Sequence, residues 1–142
     1  MITVVDVETS WQVTDTGGYD PSPYHPDNIL VSVGINDEYY FTNHSERIDD
    51  GCYHNIQSIL DKTTLLVGHN IKFDLMWLIE AGFKYTGKVY DTMLGEYILN
   101  RGIRKSLTLE MSCRRRRIGS KDNRIKEFTD RGIPFQNIPA NV

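Results

Sequence analysis

The sequence predicts an α/β domain, a mixed sheet of three antiparallel strands followed by parallel strands, with helices packed on it. Three observations carry that expectation. The N-terminus opens on an almost continuous β-branched run, Ile2-Thr3-Val4-Val5-Asp6-Val7. Two further apolar runs are separated by the turn residues Gly34-Ile35-Asn36-Asp37. From residue 54 onwards helical and strand periodicities alternate, so that strands precede crossovers.

Residues 2–7 read as a central strand buried on both faces, because parallel and central strands lack the polar alternation of half-exposed ones. Residues 13–28 hold three Pro and two Gly with little periodicity, and read as a long loop over one end of the fold. Ile29-Leu30-Val31-Ser32-Val33 and Glu38-Tyr39-Tyr40-Phe41-Thr42 then form an antiparallel hairpin. Ile56, Ile59 and Leu60 recur at helical spacing within residues 54–62. Thr64-Leu65-Leu66-Val67 is a short strand, and residues 70–81 place Ile71, Leu75, Leu78 and Ile79 on one stripe that ends at Gly82. Lys88-Val89-Tyr90 is a brief strand. Asp91 caps a helix running to about Asn100, with Leu94, Tyr97 and Ile98 inward, and residues 104–117 form a last, basic helix. Trp77, Tyr85 and Tyr97 read as core residues. After Gly119 the pattern weakens, with Phe128, Ile133, Phe135 and Ile138 as the large apolar anchors.

With 142 residues, 39% of them hydrophobic, the chain has the material for one core and not for two. No apolar run approaches the roughly 20 residues of a membrane span, and the sequence opens directly on a strand-like run without a basic or long apolar segment, so neither secretion nor membrane insertion is expected. Cys52 and Cys113 lack metal or disulfide spacing, which suits free thiols in a reducing cytoplasm. Asn43-His44-Ser45 fits a glycosylation pattern, which is expected to be a chance match where secretion is not expected. The net charge of −3 conceals a division. Residues 1–71 carry Arg47 and Lys62 against 11 acids, a net −9, whereas residues 72–142 carry 14 basic residues against 8 acids, a net +6. An acidic half able to hold cations beside a basic half able to hold phosphate suits an enzyme that acts on a polyanion through metal ions.

The chemistry concentrates in two places. Asp6 and Glu8 lie two residues apart on a strand, so both carboxylates leave one face near its C-terminal end. Two acids there either stay solvated at a sheet edge or share a divalent cation with oxygen ligands. In Gly68-His69-Asn70-Ile71-Lys72-Phe73-Asp74, Asn70 starts a helix and Asp74 follows one turn later, beside the apolar stripe and not in it. If the strand before Gly68 neighbours the first strand, Asp74 approaches Asp6 and Glu8 at the carboxyl ends of the strands, where open α/β sheets place their sites. Oxygen-only ligands favour Mg2+ or Mn2+ over zinc. Trp11 and Tyr19 after the first group, His69 and Phe73 near the second, and Arg114-Arg115-Arg116-Arg117 are the aromatic and basic groups able to contact a polyanion. Thr9 and Ser10 add hydroxyl and N–H groups beside the first pair of acids. The arginine run reads equally as a solvated helix end that complements the macrodipole.

Four segments taken together resemble the 3′–5′ proofreading exonuclease domain of family A DNA polymerases. They are Val5-Asp6-Val7-Glu8-Thr9, Gly68-His69-Asn70-Ile71-Lys72-Phe73-Asp74, Tyr90-Asp91-Thr92-Met93-Leu94-Gly95-Glu96-Tyr97-Ile98-Leu99 and Ser106-Leu107-Thr108-Leu109. The resemblance implies a ribonuclease-H-like fold over residues 1–118 and a C-terminal extension over 119–142. It also implies two divalent ions, Mg2+ or Mn2+, held by Asp6, Glu8 and Asp74, with Asp91 a cap and not a ligand. The substrate it implies is the 3′ end of single-stranded DNA, contacted by Thr9, Ser10, Trp11, Asn70 and Phe73. The partner it implies is the remainder of a DNA polymerase, in the cytoplasm of a bacterial cell or phage-infected host, with no membrane.

The sequence departs from that pattern once. The family's third motif, Tyr-x-x-x-Asp or His-x-x-x-x-Asp, belongs after the Ile-Pro region, where this sequence reads Ile138-Pro139-Ala140-Asn141-Val142. Asp122, Glu127 and Asp130 do not follow a Tyr or His at the required spacing. The expectation is therefore a site incomplete or inactive by itself. Other expectations from the same motifs are an exoribonuclease or oligonucleotide hydrolase of the same superfold, and a non-catalytic module that binds nucleic acid or polymerase.

Overall fold

The computed structural model describes residues 1–42, 48–119, 127, 128, 130–133, 137 and 138. The Asn43-His44-Ser45 pattern, Asp122, Phe135 and most of the C-terminal extension lie outside the described residues. The strands are β1 (Ile2–Thr9), β2 (Gln12–Val13), β3 (Tyr19–Asp20), β4 (Leu30–Ile35), β5 (Glu38–Phe41), β6 (Leu65–Gly68) and β7 (Lys88–Asp91). The helices are α1 (Asp50–Lys62), α2 (Ile71–Glu80), α3 (Thr92–Leu99) and α4 (Leu109–Arg116). Five strands form one mixed sheet in the order β5-β4-β1-β6-β7, and β2 with β3 makes a small separate ribbon inside the long loop. β1 pairs antiparallel with β4 and parallel with β6, and β7 adds to β6 in parallel. This order of antiparallel hairpin, central first strand and parallel crossovers is that of the expected ribonuclease-H-like class.

The core occupies one face of the sheet. Val5, Val7, Val33, Ile35 and Leu66 pack there against Ile56 and Leu60 of α1 and Ile71, Trp77 and Leu78 of α2. Each large side chain withdrawn from water in this way contributes roughly 1.5–3 kcal/mol. Asp49 starts α1 four residues earlier than the apolar periodicity indicates, accepting from the Gly51 and Cys52 N–H groups. Tyr53 stacks on Phe83 at 4.8 Å and donates its hydroxyl proton to the Gly82 carbonyl, tying α1 to the end of α2.

Several expectations are corrected. β1 is central in the sheet but buried on one face only, for Ile2 and Val4 are 65% and 50% exposed. A β-branched run reports strand propensity, and which faces are covered depends on where the helices pack. α3 does not turn Leu94, Tyr97 and Ile98 inward; all three are exposed, and Glu96 is the buried residue of that helix. On α2 the buried positions are Ile71, Asp74, Trp77 and Leu78, while Ile79 is exposed. α4 begins only at Leu109, because Thr108 caps it through the Met111 N–H and the residues before it are not helical. Trp77 is core as expected, Tyr85 is half-buried at the edge of the core and Tyr97 is not core. Cys52 and Cys113 are free thiols. Among the described residues no helix is long and apolar enough to cross a membrane.

Candidate active site

The parallel pairing of β1 with β6 runs from Ile2 to Val4, whereas β1 itself continues to Thr9. Past Val4 the edge of β1 that faced β6 has lost its partner, and its N–H groups need other acceptors. The Val7 N–H donates to Asp74 Oδ1 at 3.0 Å. Asp74 is thus held against the one residue that separates Asp6 from Glu8, in the crevice at the carboxyl ends of β1 and β6. Asp74 as a residue is only 3% exposed. Burial pushes its carboxyl up to about 6, the negative charges of Asp6 and Asp91 add to the rise, and the Val7 N–H offsets part of it.

The corner that delivers Asp74 is tightly built. Gly68 ends β6 where a Cβ would meet the Ile71 side chain at 3.0 Å, so any larger residue would push Ile71 back by a few tenths of an ångström and glycine lets strand and helix approach closely. Asn70 takes the left-handed conformation, φ 65° and ψ 42°, which Asn tolerates better than most residues, and its side chain makes no capping bond. Its N–H instead donates to Asp91 Oδ1 at 3.0 Å, and the same oxygen accepts from Met93 and Leu94. The capping role expected of Asp91 is therefore present, together with a bond to the corner. Both nitrogens of His69 are engaged, Nδ1 with Thr92 Oγ1 at 2.9 Å and Nε2 with the Leu107 carbonyl at 2.7 Å. A carbonyl only accepts, so Nε2 carries a proton.

Asp6 and Glu8 project from the face of β1 opposite to the core, with Asp6 exposed and Glu8 half-buried. Their cross-strand partners are Gly34 and Ser32 on β4, which pair in turn with Tyr39 and Phe41 on β5. Ile2, Val4, Tyr39, Phe41 and Tyr90 make this side of the sheet apolar and open around the acids. Among the described residues no three acidic, histidine or cysteine side chains close into a set able to hold a metal ion. The donor chemistry nonetheless fits a hard cation, since all three candidate ligands are carboxylates and Asp6 and Asp74 act on each other as like charges.

The remaining candidates are placed as follows. Thr9 and Ser10 are buried, and Ser10 staples the long loop by donating its N–H to the Ile29 carbonyl while its Oγ accepts from the Ile29 N–H. Trp11 is 41% exposed and meets the more exposed Tyr19 edge-on at 4.4 Å across the β2–β3 ribbon. The long loop is ordered because Asn28 Nδ2 donates to the Asp20 and Ser22 carbonyls and the Trp77 indole donates to the Pro21 carbonyl. Phe73 is half-buried against the core. The arginine run is mostly committed within the fold. Arg115 and Arg116 clasp the two oxygens of Glu96 at 3.1 and 2.7 Å, Arg114 pairs with Glu110 on its own helix, and Arg117 is the left-handed residue that ends α4. Sequence reasoning missed Glu96 as the partner of these arginines. An acid inside an apolar helix, facing no base at helical spacing, was the available signal.

A family model for 3′–5′ exonuclease, of DNA polymerase A type, matches residues 14–110, about two thirds of the chain. The matched stretch contains Asn70, Asp74 and Asp91 and begins after Asp6 and Glu8. No curated protein sequence matches the chain.

Proposed function

Because the chain belongs to the 3′–5′ exonuclease domain family of DNA polymerase A, we propose that it engages the 3′ end of a single DNA strand and hydrolyses its terminal phosphodiester, as the proofreading domain of a polymerase does. The observation that carries this is Asp74. It is a carboxylate at a core position of α2, aimed at the Val7 N–H between Asp6 and Glu8. A buried acid near other acids and in a strand-end crevice is costly for the fold and is characteristic of functional sites. The family generally uses divalent metals. In this reading Asp6, Glu8 and Asp74 would hold Mg2+ or Mn2+, which when bound supplies a more acidic water and charge at the leaving oxygen.

The protein's own residues do the positioning. Asp74 is fixed by its bond to Val7, and Asn70 presents an exposed amide from a rigid corner to the strand end. Trp11 offers an exposed ring for base stacking, Phe73, half-buried one residue before Asp74, would meet the strand with its remaining exposed edge, and Thr9 and Ser10 set the turn that carries Trp11. The fourth carboxylate of the family pattern, with its Tyr or His, comes in this reading from outside residues 1–119, with the remainder of a polymerase as the natural source. The open apolar sheet face around Asp6 and Glu8 supports that, since an exposed apolar patch of this kind is ordinarily covered.

The test is binding and cleavage of labelled single strands of DNA and of RNA, with Mg2+, Mn2+ or chelator. Metal-dependent release of 3′ nucleotides that disappears in Asp6→Ala is the result for a completed site. Metal-dependent binding without cleavage is the result for a site lacking its fourth acid. Binding that ignores both metal and Asp6→Ala overturns the reading in favour of a non-catalytic module, and preference for the RNA strand favours the exoribonuclease reading.

A further inference from the structure

We propose that Asp91 is a positioning residue for this site, one that acts through the backbone of Asn70 to aim Asp74; the proposal rests on the exonuclease reading above. A helix cap needs only to accept from the first N–H groups of its own helix, which Asp91 does with Met93 and Leu94. The bond from the Asn70 N–H reaches outside α3, to the start of a different helix 21 residues earlier. The register makes this possible, because Gly68 at the end of β6 pairs with Asp91 at the end of β7. One carboxylate oxygen therefore joins the first turns of α2 and α3.

Asn70 is the residue that needs such a tie. Its left-handed backbone receives no support from its own side chain, and a change there would rotate α2 about its first turn, where Asp74 sits. The next residue repeats the connection. The Thr92 hydroxyl lies 3.1 Å from the Gly68 carbonyl and 2.9 Å from His69 Nδ1, while His69 Nε2 holds the Leu107 carbonyl. Two adjacent residues of β7–α3 thus grip all three residues of the β6–α2 corner. At the far end of that corner, Asp74 Oδ1 accepts the Val7 N–H. If Asp91 only capped α3, its loss would be felt at Met93 and Leu94. If it aims Asp74, its loss is felt at Val7, on the central strand.

Asp91→Ser separates these roles. Serine caps helices well, yet its hydroxyl is carried on a side chain one bond shorter than the carboxylate, too short to serve both helices. The measurement is amide hydrogen exchange across the whole 142-residue protein, together with titration of Mn2+ alone. In Asp91→Ser we expect Met93 and Leu94 to keep their protection while Asn70 and Val7 exchange at least about tenfold faster. Mn2+ affinity falls by roughly 10- to 100-fold, as when partners behind metal ligands are removed. Asp91→Asn, which keeps an acceptor of the same reach and removes the charge, restores Val7 protection. Asn70→Gly added to Asp91→Ser also restores it, because glycine holds the left-handed corner unaided. Intact Val7 protection and Mn2+ affinity in Asp91→Ser overturn the proposal and leave Asp91 a cap. Should Asp91→Ser not fold, faster exchange at Val7 in Asp91→Asn overturns it as well. A parent protein that binds no Mn2+ overturns the exonuclease reading, a failure separate from the exchange pattern.

Discussion

The Val7 N–H and the Asp74 carboxylate meet at 3.0 Å although 67 residues separate them in the chain. β1 outruns its parallel partner β6, and the unpaired edge so created is closed by a side chain from the helix that follows β6. This one bond places an acid inside the core layer, beside the strand segment that carries Asp6 and Glu8.

Asp74→Asn should stabilise the protein at neutral pH and impair cation binding. The amide oxygen still accepts from Val7, and the charge that burial penalises is gone. Burial raises the folded carboxyl to about 6, so the native state holds a proton that the unfolded chain releases near pH 4. The favourable contribution is thus present below about pH 4 and lost as pH rises through 6, by roughly 2–3 kcal/mol. Urea unfolding of both proteins at pH 4.5 and 7.5 measures it, with the larger gain expected at the higher pH.

Cation affinity should carry the same titration with the opposite sense. Below about pH 6 the Asp74 proton competes with the metal. Mn2+ affinity is then expected to fall about tenfold per pH unit as the solution is acidified, and to level off above pH 7. Magnetic-resonance titration of free Mn2+ between pH 5 and 8 checks this, and a flat profile would count against Asp74 as a ligand.

The arginine run should divide by partner. Arg115→Gln or Arg116→Gln breaks a pair with the largely buried Glu96, and each should lower Tm by several degrees. Arg114→Gln removes only a surface pair with Glu110, worth about 0.3–0.5 kcal/mol. The two arginines hold the Glu96 carboxyl below its ordinary range, so this stabilisation is present at neutral pH and lost on acidification through that lowered range. Thermal scans at pH 7 and pH 3.5 resolve the difference. Replacing Arg115 and Arg116 should leave the salt dependence of strand binding unchanged, because they are engaged inside the fold.

Trp11→Ala should weaken single-strand binding by about 1–3 kcal/mol with little change in stability, since the ring is exposed and meets Tyr19 rather than the core. Quenching of Trp11 fluorescence by a short oligonucleotide, read in a Trp77→Phe background, gives the direct signal.

Much of the fold was legible because its signals are local. The β-branched start of β1, the hairpin turn, which tightens to Asn36-Asp37 because β4 extends through Ile35, and the helical spacing of Ile56 and Leu60 each predict an element from neighbours in sequence. The cap at Asp91 was legible because the apolar pattern begins just after it, and those at Asp49 and Thr108 were missed because the periodic signal starts too late or too early. Orientation was less legible. Leu94, Tyr97 and Ile98 have the composition of a buried stripe, yet the sheet and helices leave them exposed and bury Glu96 between Arg115 and Arg116 instead.

By itself the sequence determined the order of the main-sheet strands and the helices, though not the β2–β3 ribbon, together with the acidic and basic halves and the residue types able to bind a cation, because propensity, charge and side-chain chemistry belong to each residue wherever it lies. Only the tertiary structure decided which faces are covered, that Asp74 occupies a core position, and that Asp91 reaches Asn70. Those outcomes depend on where strands of unequal length stop pairing and which N–H groups are left to satisfy, and no single stretch of the chain carries that information.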